Sequence, residues 1–382
     1  MTANSPLHGV KVLELARILA GPWCGQTLAD LGAEVVKVES PEGDDTRRWG
    51  PPYIEKDGEK AAAYFHAANR GKQSVTADFT TEEGRDFVVA LAKDADVLIE
   101  NFKLGGLKKY GLDYEGLKAI NPKLIYCSIT GFGQDGPYAP RAGYDFMIQG
   151  MGGIMDLTGA PDGEPQKIGV AFADIFTGLY SVVAIQAALI ERQRTGEGQH
   201  IDMALFDCMT GVLANQAMNF LASGVSPRRM GNAHPNIAPY QTFPVADGHL
   251  IVACGNDSQF GRLAAVLGLA ELAGDSRFAT NSARVGNRIE LSRIMEEKTL
   301  TFRRDDLLAL LEKEGVPAGP INSVADVFSD PQFIHRGMKI DPEGAPGIRT
   351  PIRFSRSELA LEKGAPRLGA DTDSVKSRLG ER

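Results

Sequence analysis

The first forty residues fix the kind of sheet this chain builds. Val10 to Leu15 is rich in branched residues and alternates as a strand does. Ala20-Gly21-Pro22 then marks a helix start, where the N–H that proline lacks has no partner in any case. That helix is predicted to reach about Leu31, Gly32 stops it, and Glu34 to Glu39 reads as the next strand. Strand, helix and strand in so short a span form a βαβ unit, which implies a parallel sheet with a right-handed crossover. The pattern returns as a helix over Thr81–Lys93, a strand over Val97–Ile99, a helix near Leu112–Ile120 and a strand over Leu124–Ile129.

Beyond Gly131 the texture changes to clustered glycine and proline, through Gly136-Pro137, Pro140, Gly143, Gly150, Gly152-Gly153 and Pro161. A long apolar helix is predicted from Asp174 to about Arg194, ended at Thr195-Gly196-Glu197-Gly198. A strand over His200–Leu205 and an apolar helix over Phe206–Leu221 follow. A second unit begins near Ser226. It holds a hairpin, Tyr240–Pro244 with His249–Ala253 around Asp247-Gly248, and helices over Phe260–Leu267, Ile289–Lys298 and Asp305–Glu314. Val316-Pro317-Ala318-Gly319-Pro320 leads out of it, and the tail from Pro331 is loop-rich, with a strand expected at Pro351–Phe354.

Composition removes several function classes. The chain has 382 residues, enough for two domains, and 43% hydrophobic residues, enough for a large core. A formal net charge of −8 argues against nucleic acid or an anionic membrane as partner. Met1 to Val10 is polar, without the apolar run of a signal peptide, and the most apolar stretch, Leu179–Leu189, reads as too short to span a bilayer. Cys24, Cys127, Cys208 and Cys254 are widely spaced and read as buried thiols in a cytoplasmic protein. The six histidines show no ligand spacing, so no metal is expected. Gly131-Phe132-Gly133-Gln134-Asp135-Gly136 matches the letters of a dinucleotide fingerprint, but Pro137 and Pro140 fall where its helix must open. It reads as a glycine-rich loop that brings the backbone close around something else. Asp174 is almost the only charge in an apolar run, and its plain reading is a helix cap; the same position offers backbone N–H groups to a developing negative charge.

The segments 6–13 (PLHGVKVL), 31–39 (LGAEVVKVE), 69–74 (NRGKQS), 95–102 (ADVLIENF), 131–133 (GFG), 173–178 (ADIFTG) and 194–199 (RTGEGQ) stand in this order and spacing along the chain. Together they resemble the class III CoA-transferases, the family that includes formyl-CoA transferase, carnitine CoA-transferase and the α-methylacyl-CoA racemases. The resemblance implies an α/β fold: a Rossmann-like large domain with a parallel sheet over 1–200, completed by 331–382, a helical linker over 201–225, and a smaller α+β domain over 226–330. It also implies an interlocked, ring-like homodimer.

The same resemblance implies that Asp174 is the catalytic nucleophile, carrying CoA from an acyl-CoA donor to a free carboxylic acid through an aspartyl-CoA thioester. Coenzyme A is then a substrate, and no tightly bound cofactor is expected. Leu19, Ala20, Ala77, Asp78, Asn101, Phe102 and Lys103 fall at the family's CoA-contact positions, and Lys109 and Arg141 are its candidate phosphate partners, with Lys103 and Lys108 as alternatives. Ser40 stands where many members have an arginine against the adenine. The racemases carry a His-Asp pair where this chain has Tyr144-Asp145, and a phenol with an ordinary pKa of ~10 is a poor base at neutral pH. The Tyr-acid pair favours transfer over racemisation. Arg48 (or Arg47), Trp49, Tyr64 and His234 are candidate substrate contacts, the arginine as a clamp for a second carboxylate. Gly150–Gly153 and Gly255-Asn256 are candidate covers that exclude water. An acyl-CoA racemase and a non-catalytic acyl-CoA binding protein are the alternatives.

Overall fold

The computed structural model describes residues 4–56 and 58–380. Six strands, Lys11–Glu14, Glu34–Glu39, Gln73–Thr76, Val97–Glu100, Ile125–Thr130 and His200–Ala204, form one sheet in which all neighbours run parallel. Numbered along the chain, their spatial order is 3-2-1-4-5-6. The order therefore reverses between Lys11–Glu14 and Val97–Glu100, and in such sheets ligands settle in the crevice beyond the strand ends at that point.

Strand alternation sorts the apolar side chains onto two faces. Val12, Val35, Val97, Ile99, Ile125 and Cys127 pack under the helices Ala20–Asp30 and Phe172–Thr195. Leu13, Val36, Val38, Leu98 and Tyr126 face the helix Glu82–Asp94 and the tail residue Val375. The first pair of helices crosses backbone to backbone: a Cβ at Gly178 would lie 2.7 Å from the Ala20 carbonyl oxygen. The Phe172–Thr195 helix has 24 residues and is long and apolar enough to cross a membrane by those measures, so the shorter apolar stretch expected there is corrected. Here Ala173, Thr177, Gly178, Ser181, Val182 and Ile185 on it are buried in the protein.

Charged groups lie inside this first unit. Glu14 and Lys37 are buried, and Lys37 Nζ meets Glu14 at 3.1 Å and Asp44 at 3.0 Å. Lys72 Nζ, also buried, reaches Glu14, the Pro22 carbonyl and Asn69 at 2.9 Å each. The tail closes the sheet's edge: Ser74 N–H donates to Asp371 at 2.9 Å, and Thr76 N–H to Thr372 Oγ1 at 3.0 Å.

The chain divides into two compact units, one of Met1–Ile154, Lys167–Met218 and Pro331–Arg382, the other of Met155–Gln166 and Asn219–Asp330. The second unit has an antiparallel sheet ordered Ala318–Pro320, Gly248–Ala253, Tyr240–Val245. Phe243, Leu250, Val252, Phe260, Leu291, Leu307 and Leu311 form its core. Arg284 is buried there, donating to the carbonyls of Ala238 at 2.6 Å and Phe278 at 2.9 Å and to Asp257 at 2.7 Å.

Two expected elements are corrected. The helix over Phe206–Leu221 is two helices, Leu205–Gly211 and Ala214–Ser223, broken where Ala214, at the start of the second, adopts a positive φ of 46°. Pro351–Phe354 is not a strand; the tail's short ladder pairs Lys339–Ile340 with Gly347–Ile348, upstream of a proline that has no N–H to give.

Candidate active site

The strand ends at the sheet's reversal point open into a cleft. Its walls come from the loop after Lys11–Glu14, the loop after Val97–Glu100 and the turn that follows Ile125–Thr130. Of the residues singled out in the sequence, Leu19, Ala20, Asn101, Phe102, Lys103, Arg141, Tyr144, Asp145 and Asp174 all line it. Arg17 and Ile18, which the sequence reading missed, line it as well.

Each wall is held by its own polar contacts. Arg17 and Asn101 lock two of the loops together: Arg17 N–H donates to Asn101 Oδ1 at 3.0 Å, and Asn101 Nδ2 donates to the Arg17 carbonyl at 2.6 Å. Ile18 has φ +74°, a left-handed conformation that a β-branched residue rarely takes. Its N–H points at the Asp44 carboxylate, 3.3 and 3.4 Å from the two oxygens, so the buried Lys37–Asp44 pair anchors the strained turn. Buried Glu100 accepts from Phe102 N–H at 2.7 Å. The glycine-rich loop forms no helix; Gly131 and Gly143 touch instead, since a Cβ on Gly143 would lie 2.3 Å from Gly131 Cα. The close approach expected of this loop is to its own returning chain.

Asp174 lies in the first turn of the Phe172–Thr195 helix, but it is not the cap; Ala171 occupies that position and caps nothing with its side chain. The capping oxygen arrives from another helix. Asp145, first residue of Asp145–Met151, accepts through Oδ1 from Ala173 N–H at 2.8 Å and Asp174 N–H at 3.3 Å. Gln149 braces Asp145 from behind, donating to its Oδ2 at 2.7 Å. Among the described residues no donor reaches the Asp174 carboxylate. Burial, and after it the negative charge of Asp145, push the Asp174 carboxyl up to about 7. Tyr64 senses the same field: burial first, then Asp174, Asp145 and Asp44, push its phenol up to about 12.

The remaining candidates lie outside the cleft's lining. Ser40 is exposed, and its carbonyl accepts from Gly43 N–H at 2.9 Å. Ala77 is buried beside Glu39, and Asp78 folds into a turn with Thr80, accepting from its N–H at 3.0 Å. Lys109 lies over the ring of Tyr110 at 4.6 Å. Arg48 is held to the Glu42 carbonyl at 3.1 Å and to Asp45 at 3.3 Å. Arg47 is no clamp: it forms a fork on buried Glu39, at 2.8 and 2.6 Å, and covers Phe65. Trp49 packs edge-on against Tyr64 at 5.3 Å. His234 belongs to the second unit, where its Nδ1 accepts from Asn236 N–H at 3.0 Å and its ring tilts on Tyr240. Neither glycine segment is a free cover. Gly150 is inside the Asp145–Met151 helix, while Asn256 caps the helix Asp257–Val266 and Gly255 N–H donates to Gln259 at 2.7 Å.

Residues 7–372 match the model of CoA-transferase family III. The chain is 58% identical to the succinate–glutarate CoA-transferase of Agrobacterium fabrum, over 98% of this chain and 96% of that one. It is 41% identical to the human succinyl-CoA:glutarate CoA-transferase, over 98% of this chain and 86% of the relative. A crystal structure of a CAIB/BAIF family protein from Brucella suis superposes with a TM-score of 0.90 at 73% identity, covering 98% of this chain and 100% of that one.

Proposed function

The chain belongs to CoA-transferase family III, and from that premise we propose that Asp174 is the carboxylate through which CoA passes from an acyl-CoA to a free dicarboxylic acid. The observation that carries this reading is the environment of Asp174: a partly exposed carboxylate at the wall of the cleft, with no described donor on its oxygens. An oxygen without a hydrogen bond keeps its lone pairs for attack, and the low polarity that raises its pKa also raises its reactivity.

The chemistry runs in balanced exchanges. A carboxylate oxygen of Asp174 attacks the donor's thioester carbonyl, the C–S bond breaks, and a mixed anhydride and CoA thiolate result. The thiolate attacks the aspartyl carbonyl and expels the donor acid, leaving CoA as a thioester on Asp174. The acceptor carboxylate attacks that thioester, and the thiolate returns to the acyl carbonyl of the new anhydride, freeing Asp174. Asp174 stands in the first turn of the Phe172–Thr195 helix, where the helix dipole favours a developing negative charge. Leu19, Ala20, Asn101 and Phe102 line the path of the CoA arm, with Lys103 and Arg141 near its phosphates.

The relatives named for succinate and glutarate support dicarboxylic acids as donor and acceptor. Four buried, unpaired cysteines support a cytoplasmic setting. The test is direct. Incubated with succinyl-CoA, the protein is expected to retain CoA on Asp174; hydroxylamine converts that thioester to a hydroxamate located by peptide mass mapping. Asp174→Asn is expected to bind CoA and to transfer none. A folded Asp174→Asn protein that transfers CoA near the original rate, with no deamidation back to Asp, rules the assignment out.

A further inference from the structure

Gln149 is completely buried, at 0% exposure. A glutamine moved out of water must replace its hydrogen bonds, and this one replaces them at three points. Its Nε2 donates to Asp145 Oδ2 at 2.7 Å and to the Val170 carbonyl at 3.3 Å. Its Oε1 accepts from Ile168 N–H at 2.9 Å. Asp145 in turn takes the N–H groups of Ala173 and Asp174. One amide thus ties the Asp145–Met151 helix to the segment that enters the Phe172–Thr195 helix, directly at 168 and 170 and through Asp145 at 173 and 174.

Gln149 does not line the cleft, so its contribution reaches the reaction only through Asp145 and the backbone it holds. With Oδ2 unbraced, the Asp145 carboxylate is free to turn about its side-chain bonds and release the Asp174 turn. An acyl-transfer nucleophile tolerates little of this, because a misplacement of about 1 Å costs on the order of 100-fold in rate.

We propose that Gln149 is a positioning residue for CoA transfer, bracing Asp145 so that the first turn of the Phe172–Thr195 helix presents Asp174 to the thioester. This rests on Asp174 being the nucleophile.

The experiment compares wild type, Gln149→Met and Gln149→Glu as full chains, with succinyl-CoA and glutarate as probes and hydroxylamine trapping as a parallel readout. Gln149→Met keeps the length and removes all three hydrogen bonds. Its kcat is expected to fall about 10- to 100-fold, with KM for acyl-CoA and CoA affinity within about threefold of wild type. A purely structural role lowers the yield of folded protein but not kcat per folded site. Gln149→Glu keeps the shape, and its carboxyl donates to Asp145 only when protonated. Its activity relative to wild type is therefore expected to rise as pH falls from 8 to 6, with Asp174 and Tyr64 the other titrating groups facing Asp145. Gln149→Met turnover within about threefold of wild type overturns the proposal, as does a loss of CoA affinity equal to the loss of kcat. If Gln149→Met fails to fold, Gln149→Glu decides, and a relative activity that is flat with pH overturns the proposal. Wild type that turns over yet yields no hydroxamate at Asp174 overturns the nucleophile reading and this proposal with it; a wild-type adduct with undiminished Gln149→Met turnover overturns this proposal alone.

Discussion

As the proposed nucleophile, Asp174 meets two opposed demands. In that role it must be ionised to attack, yet burial and the charge of Asp145 hold its carboxyl up at about 7. The rate of CoA-thioester formation is therefore expected to rise through a single ionisation near pH 7, measured by rapid quench and mass spectrometry between pH 5.5 and 8.5. The stability consequence has a definite sign. A carboxyl whose pKa is higher folded than unfolded binds its proton more tightly in the native state, so the protein is relatively more stable below about 4 and loses that advantage as pH rises through about 7. Asp174→Asn is expected to raise stability at pH 8 by about 1–3 kcal/mol, and the gain should vanish toward pH 4 in paired denaturant titrations. This reverses the small loss expected of a cap residue, because the cap is supplied by Asp145. Asp44 behaves oppositely. Burial works against its charge, but Lys37 and the hydrogen bonds from Thr46 hold its carboxyl below the usual range. Asp44→Ala strips a partner from buried Lys37 and the anchor from Ile18. A loss of about 3 kcal/mol is expected, together with a higher KM for acyl-CoA.

Among elements, the alternating and helical patterns were legible wherever they were long. The βαβ opening, the strand at Val97–Glu100 and the long apolar helix all stand within a few residues of where periodicity put them. Gln73–Thr76 escaped because four residues with one buried valine make no pattern; its neighbours and the returning tail make it a strand. The capping of Asp174 escaped for a related reason. Asp145 and Gln149 lie 29 and 25 positions upstream, and nothing local in the sequence links them to it. Arg47 and Arg48 show the limit from the other side, since adjacent arginines look alike on paper while one is spent on Glu39 and the other on Asp45. The glycine loop was read correctly as a close approach, but its partner, Gly143, emerges only in three dimensions. Gly143→Ala places a methyl 2.3 Å from Gly131 Cα, so the loop must shift where it lines the cleft. A KM for acyl-CoA raised at least about tenfold is expected, with the circular dichroism spectrum preserved.

At the scale of the whole molecule, the long helix leaves an apolar face exposed. Leu179, Tyr180, Val183 and Ile190 recur at helical spacing on Phe172–Thr195 and are exposed, Val183 at 61% and Ile190 at 68%. Apolar side chains aligned in this way mark association surfaces, which supports the homodimer that the family resemblance implies. Light scattering at dilute concentration is expected to give twice the chain mass of 41.0 kDa, and Val183→Glu to shift it toward one.

The returning tail also sets an order of events during synthesis. The second unit's residues are all made by Asp330, so it has its full core in hand while Pro331–Arg382 is still being added. The first unit has no such independence. Its edge strand, Gln73–Thr76, waits for Asp371 and Thr372, and Asp30 waits for Thr350. At ribosomal speeds of roughly 5–20 residues per second, that strand stays without its tail contacts for many seconds after it emerges. A stop codon between Pro331 and Thr350 would thus spare the later-made unit and cripple the earlier-made one.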